Sequence, residues 1–375
     1  MRIMNLVCSL LFAFFSFVYL YIFQSDVLEA LHYSLAHGRT TFAPLATALI
    51  LTVVFVVLNL VASDVLKLRG RYHVLSYIPT FIVLASLTDV RRGVYTSSYS
   101  SYNIWLYPLL VLLVIVALYF LGKAIYRPDK TEKDFLVAIN YNLGLLTILS
   151  CLTLWAGNTD GDFHHEVAIE RKIRDGKFKD AMMVGNKANA ASRTFSALRA
   201  FAMAQEDKMG ENIFEYPQDY GADGLFFSDN PVDLQRFNND SISQFLGLAM
   251  GPNDNIITRL RAACYDDQAN HSALDYYLTA LLLRKDVPTF SHALADFFTK
   301  EDEQPKHYRE AIVMYQSSHP DYELSINDST IIKKYIEYKS KQGSFASYLE
   351  EYKWMRNVYS RTYWWYHDYY GKDIK

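Results

Sequence analysis

The chain has 375 residues, 51% of them hydrophobic and 21% charged, with a net charge of −3. Those averages conceal two unlike halves: residues 1–157 hold 11 Lys and Arg against 7 Asp and Glu, whereas residues 158–375 hold 26 against 33. The acidic second half argues against DNA or RNA as a partner, because a nucleic-acid footprint needs a basic face. The three scattered cysteines, Cys8, Cys151 and Cys264, form neither a zinc spacing nor a disulfide framework.

Taken in chain order, the first half is dominated by apolar runs. A bilayer core is crossed by roughly 20 apolar helical residues, because unpaired backbone groups are not tolerated in hydrocarbon. The runs 4–23, 42–62, 104–126 and 137–156 meet that length. The run 72–88 is shorter and carries Pro79, but proline and hydroxyl side chains are accommodated in membrane helices, so it is taken as a fifth crossing. The first run is longer than a usual signal-peptide core and is followed by no clear small-residue cleavage site, so it reads as an anchor. With a cytoplasmic amino terminus, the inner segments carry Arg2, Lys67, Arg69, Arg71, Lys123, Arg127, Lys130 and Lys133 against Arg39, Arg91 and Arg92 outside, as the positive-inside rule favours. An odd number of crossings then places residues 158–375 on the far side, the periplasm of a Gram-negative cell. Trp105, Tyr107, Tyr126 and Trp155 fall near predicted span ends, where amphipathic rings prefer the headgroup layer. Mid-span positions carry no acid or base of the kind that ion-coupled carriers keep there, so the bundle is read as an anchor in lipid.

After Gly157 the pattern changes to amphipathic helices separated by short turns, with almost no strand alternation. Residues 166–174 and 178–187 flank Asp175-Gly176, and residues 193–205 and 214–217 flank the break at 207–210. Gly176 and Gly210 are 34 apart, the tetratricopeptide period. Ala197, Ala200, Ala202 and Ala204 suit close helix approach, with glycine permitting the tight turn and Phe178 and Phe214 filling the gap between units. Further pairs flank Arg284-Lys285-Asp286 and Gln342-Gly343. The expected fold is all-α: a transmembrane bundle over 1–157, then a tetratricopeptide-like helical-repeat domain over 158–375, with an irregular helical bundle as the competing arrangement.

For chemistry, the densest polar stretch is Asn158 to Glu166. Asp160, Asp162, His164 and His165 are the metal-ligand candidates, yet a calcium loop would need glycine where Phe163 stands and glutamate where Ile169 stands, and no HExxH spacing is present. The plainer role for Asp160 and Asp162 is to cap the helix that follows. His307 is a candidate acid or base by its near-neutral titration, set against a packed or surface residue at a helix start. No phosphate-cradling, dinucleotide or nucleophile-elbow motif occurs, so neither a cofactor nor a catalytic residue is expected. Arg193, Arg199 and Lys208 are candidates for a groove surface. Tyr363, Trp364 and Trp365, in the aromatic run at the carboxy end, are candidates for a partner or sugar platform or for a contact with the membrane interface, the alternative being that the last helix buries them to cap the repeats.

The order of these parts, together with Ala197-Leu198-Arg199-Ala200 through Phe214-Glu215-Tyr216-Pro217, residues 277–290, and Pro305-Lys306-His307-Tyr308-Arg309-Glu310-Ala311, resembles a family of uncharacterised multi-pass membrane proteins of Gram-negative gut bacteria. The resemblance implies architecture and no reaction. The functional expectation is a membrane-anchored interaction or scaffold protein that presents its repeats outside the cytoplasm to a protein or peptide. The alternative is an envelope enzyme or transporter subunit handling a lipid-linked glycan.

Overall fold

The structure, a computed structural model, describes residues 2–68, 70–95, 103–125, 135–188, 190–228, 237–248, 256–265, 270–299, 303–324, 326 and 328–372. Among the described residues every regular element is helical and none is a strand. The chain divides into two compact units, Met1–Val167 and Ala168–Lys375. Residues 158–167 therefore pack with the first unit, ten residues beyond the boundary expected from composition.

The first unit contains α1 (Arg2–Val18), continued by a π-turn at Tyr19–Phe23, then α2 (Ser25–Ala36), α3 (Pro44–Leu66), α4 (Ile78–Thr88), α5 (Asn103–Ile125) and α6 (Phe135–Ala156). Among the described residues three stretches are long and apolar enough to cross a bilayer: Ile3–Phe23, Pro44–Leu66 and Phe135–Ala156. Three of the five expected crossings thus stand on length and composition. The run 72–88 is split between a 3-10 segment, Gly70–Tyr77, and the eleven-residue α4, whose axial length of about 16 Å is half a hydrocarbon core. Pro79 sits in the first turn of α4, where its missing N–H leaves no bond unmade. Within α5 the apolar stretch among the described side chains is Pro108–Ala124. Tyr126, Arg69, Arg127, Lys130 and Lys133 lie outside the described residues, as do the side chains of Trp105 and Tyr107.

Each long helix buries one narrow stripe. On α3 it is Ala48, Thr52, Phe55 and Asn59, and on α6 it is Ala138, Asn142, Leu146, Leu149 and Thr153. The stripe on α1 begins Met4, Cys8, Phe12 and Ser16. The spacings of three and four place each set on one helix face. The opposite faces are just as apolar, with Ile50 63% and Val53 62% exposed. Asn142 locks the 3-10 segment to α6: its amide donates to the carbonyls of Gly70 and Ala138, both at 2.8 Å, and its oxygen accepts from the Val74 N–H at 2.9 Å. At the ends of α4 and α6, the Tyr19 and Thr88 hydroxyls meet at 2.8 Å. Gly157 packs so closely on the Tyr19 and Thr88 hydroxyls that a Cβ there would collide with them, so the close approach requires glycine.

The chain runs through α7 (Gly161–Arg174), inside which the division falls, into a second unit built from α8 (Phe178–Met182), α9 (Arg193–Gln205), α10 (Met209–Asn212), α11 (Asn239–Leu246), α12 (Ile256–Cys264), α13 (His271–Leu283), α14 (Val287–Phe297), α15 (Lys306–Gln316), α16 (Ser329–Lys341), α17 (Tyr348–Tyr359) and α18 (Tyr363–Tyr369). Helices α9 and α13 form the centre. Every residue of Thr194–Ala204 is buried, as are Ser272, Ala273 and residues 275–283. The four alanines expected to permit close approach, Ala197, Ala200, Ala202 and Ala204, are at most 1% exposed.

One turn geometry recurs four times among the described residues. After α7, α9, α11 and α13 the chain enters the left-handed region at Gly176 (φ +69°), Asp207 (φ +51°), Gly247 (φ +71°) and Lys285 (φ +61°). In each case the next residue's N–H bonds back to a carbonyl five residues earlier, Lys177 to Lys172, Lys208 to Met203, Leu248 to Ser243 and Asp286 to Leu281, at 2.8–3.0 Å. This is the Schellman closure, which satisfies carbonyls left open at a helix end. The turn residue of the second pair is therefore Asp207, whereas Gly210 serves a different purpose. It lies buried in α10, and a Cβ there would sit 2.7 Å from the Cβ of Pro305 and 2.9 Å from the Tyr308 ring. Helices α12 to α16 pack in sequence order, but α10 also packs on α15, and α15 on α18. These long-range contacts go beyond the nearest-neighbour stacking of a strict solenoid.

Candidate functional site

The groove candidates sit mostly inside the second unit. Arg193 is half-buried and its Nε donates to the carbonyls of Asp223 at 2.9 Å and Phe226 at 3.0 Å, pinning the 3-10 turn Gly221–Leu225 to α9. Arg199 is 3% exposed, with its guanidinium between the Phe195 and Tyr216 rings at 4.3 and 4.0 Å and donating to the Val184 carbonyl. Burial lowers its pKa to about 10, and it stays charged near neutrality. A surface role for Arg199 is thereby corrected: its apolar stem and flat cation pack where the alanine-lined helix has no room for solvent. Lys208 is exposed beside the Asp207 turn.

The aromatic run at the carboxy end is likewise turned inward. Tyr363, Trp364 and Trp365 are 0–5% exposed, so they offer no platform to a ligand. Trp364 and Trp365 join Tyr338, Met355, Tyr359 and Tyr369 in one cluster, while Tyr363 joins the central core. The feature that places them is Glu310 of α15, 4% exposed. Its Oε2 accepts from the Tyr363 N–H at 2.7 Å and stands 2.9 Å from His307 Nδ1, and its backbone carbonyl accepts the Trp364 indole N–H at 2.7 Å. His307 is fully buried within this clamp, which seats α18 on α15. Spacing could not reveal it, since its parts come from positions 53 residues apart.

The polar stretch after α6 behaves as a cap. Asp160 Oδ1 accepts from the backbone N–H of Asp162 at 3.1 Å and of Phe163 at 3.3 Å. Asp162 lies in the first turn of α7, and His164 faces Asp26 at 3.6 Å and the Asn158 carbonyl at 3.3 Å. Burial pulls the His164 pKa down, but Asp26 and that carbonyl outweigh it and raise it overall. His165 is half-buried on the same helix. The Asp160 and His164 side chains are thus engaged in starting and docking α7.

Two further arrangements bring polar side chains together near the surface of the second unit. The first is a cleft of about 630 Å³ formed by α14, α15 and the turn after α15, lined by His292, Asp296, Tyr315, His319, Asp321, Tyr322 and Glu323 among others. Its lining has three carboxylates and no Lys or Arg. Tyr315 stacks on His319 at 4.1 Å and meets Tyr322 edge-on at 5.2 Å. Tyr322 is held by donating to the Ser291 carbonyl at 2.7 Å, and burial pushes its phenol up to about 12, so it remains neutral. Carboxylates beside aromatic faces favour a cationic group. The second arrangement is Asp207, His271 and Asp275, whose ligand atoms all lie within 4.8 Å of one another.

The model of a family of unknown function, DUF6057, matches residues 90–244 and 233–370. The chain belongs to this family. The match begins ahead of α5 and α6 and runs through α18, so the family takes in an apolar helix of membrane-crossing length as well as the helical second unit. No curated protein and no solved structure matches the chain.

Proposed function

We propose that this DUF6057 member is a multi-pass protein of a bacterial inner membrane whose carboxy-terminal helical unit binds a polypeptide partner in the periplasm, acting as an anchored interaction protein. The observation that carries the membrane half is the pattern on α1, α3 and α6. One stripe of each helix is buried while large apolar side chains such as Ile50, Val53 and Leu136, the last 72% exposed, cover the rest. Water does not tolerate so extensive an apolar face, and lipid does. On this reading, crossings by 72–88 and by the α5 region bring the number to five, and the positive-inside count favours the second unit outside the cytoplasm. Trp155, 82% exposed at the end of α6, fits the headgroup layer.

The recurrent turns after α7, α9, α11 and α13 support a tetratricopeptide-like scaffold that differs from a strict solenoid through α10, α15 and α18. Its contact surface on this reading is the acidic, aromatic cleft between α14 and α15, which suits a lysine- or arginine-bearing segment of a partner. The glycan alternative looked to the aromatic carboxy end or to the spans for its substrate path, and the rings of the first are in the core.

The test is affinity purification of the intact chain in mild detergent, alongside an Asp296→Asn, Asp321→Asn, Glu323→Gln variant. A stoichiometric protein partner that is lost from the variant supports the reading. Recovery of lipid or glycan without a protein, or equal recovery by the variant, refutes it. Protease cleavage of the second unit in spheroplasts, and its protection in inverted vesicles, tests the orientation.

A further inference from the structure

The cluster at the junction of α9, α10 and α13 has an arrangement that protein contacts leave incomplete. His271 and Asp275 are one helical turn apart on α13, so they share a face. Asp207 is brought beside them by the left-handed turn that ends α9, and the Ser272 hydroxyl donates to the Ala204 carbonyl at 3.4 Å to hold the two helix ends together. The three ligand atoms lie within 4.8 Å of one another, yet no hydrogen bond joins them.

Asp275 is the decisive member. It is 6% exposed, and its sole hydrogen-bonding side chain is Tyr308 of α15, fully buried, whose hydroxyl donates to Oδ1 at 3.0 Å and approaches the Asp275 carbonyl at 3.4 Å. The second carboxylate oxygen accepts no hydrogen bond from the protein and is not among the fully buried polar atoms, so a ligand can reach it. A carboxylate with nine-tenths of its surface removed from water, facing another carboxylate, is unfavourable unless a cation or a proton neutralises the pair. Lys208, the adjacent base, is exposed and makes no ion pair with either acid.

We infer that Asp207, His271 and Asp275 form a divalent metal site of the zinc class, with Tyr308 fixing the buried carboxylate. The donor set decides the class, since imidazole with carboxylate oxygen suits first-row transition ions, whereas magnesium and calcium prefer oxygen alone. Tetrahedral ligands about 2.0–2.2 Å from one ion stand roughly 3.3–3.6 Å apart, so the exposed Asp207 and His271 side chains complete the set by rotating inward by roughly 1 Å. A hydroxyl donating to a ligating carboxylate is the usual outer partner of such a centre. Three protein ligands leave room for water or a partner's side chain.

The experiment uses the intact chain in detergent, stripped with chelator and titrated with Zn²⁺ by calorimetry, with Mg²⁺ as the comparison ion. The site predicts about one Zn²⁺ per chain and a rise in the unfolding temperature. Asp207→Asn combined with His271→Gln alters only exposed side chains, so the variant folds, and its Zn²⁺ affinity falls at least about tenfold. Asp275→Asn loses the ion as well. Retention of full affinity by the folded double variant overturns the assignment, as does failure of the stripped wild type to take up Zn²⁺ in preference to Mg²⁺.

Discussion

Replacing Glu310 by alanine tests the clamp that seats α18. The carboxylate accepts from the Tyr363 N–H and pairs with His307 Nδ1, and both partners are fully buried residues. Removing it leaves two donors without an acceptor in a place water does not reach. Each such orphan costs about 1–3 kcal/mol, for a sum near 4 kcal/mol. For a unit of about 200 residues that lowers the unfolding temperature by about 8–16 °C. The assay is thermal unfolding of the intact chain in detergent, followed by tryptophan fluorescence, because Trp364 and Trp365 report on the clamp from inside the cluster it closes. Glu310→Gln retains an acceptor and is expected to lose half as much or less. Unfolding of Glu310→Ala within a degree of wild type would refute the clamp, as would an equal loss in both variants.

The other predictions rest on single contacts. Gly210→Ala pushes a methyl group into Pro305 and Tyr308, and the overpacking should cost about 1–3 kcal/mol. Denaturant midpoints read that loss, and an unchanged midpoint would show that α10 and α15 separate freely. Asn142→Leu strands the buried Val74 N–H, so trypsin should cut faster near Arg71 in detergent, whereas unchanged cutting would disprove the lock on the 3-10 segment. For Asp368, burial favours the neutral acid, but hydrogen bonds from His367, Gln342 and Tyr338 and the charge of Lys339 outweigh it and hold the carboxyl well below its usual range. With a folded pKa below the unfolded value of about 3.9, this contribution is complete above that pH and is lost as pH falls toward the folded value. The stability difference between wild type and Asp368→Asn should therefore narrow between pH 6 and pH 3 in urea titrations, and a constant difference would refute it.

Much of the architecture was readable because its causes are local. Apolar runs of bilayer length and the change to amphipathic periodicity after Gly157 depend on neighbours within one or two helical turns. The helix pairs flanking Gly176, Lys285 and Gly343 follow from the same short-range pattern, and so does the capping role of Asp160. The second turn was assigned to Gly210 because glycine is the usual left-handed residue, while Asp207, which also tolerates that region, takes it. Gly210 is instead required by Pro305 and Tyr308, residues about 95 positions away that a local reading does not see.

The sites were the least legible part, since each depends on which face of a helix is covered. Arg199, Tyr363, Trp364 and Trp365 have the chemistry of contact residues, and only packing reveals that they are core. Asp207, by contrast, reads as an ordinary turn residue until α13 brings His271 and Asp275 to it. What the sequence by itself determined is that helices form and that a lipid-compatible part precedes an acidic helical one, because hydropathy and helical period act over a few residues. Which side chains meet was decided only by tertiary structure, because burial and charge pairing depend on contacts between residues far apart along the chain.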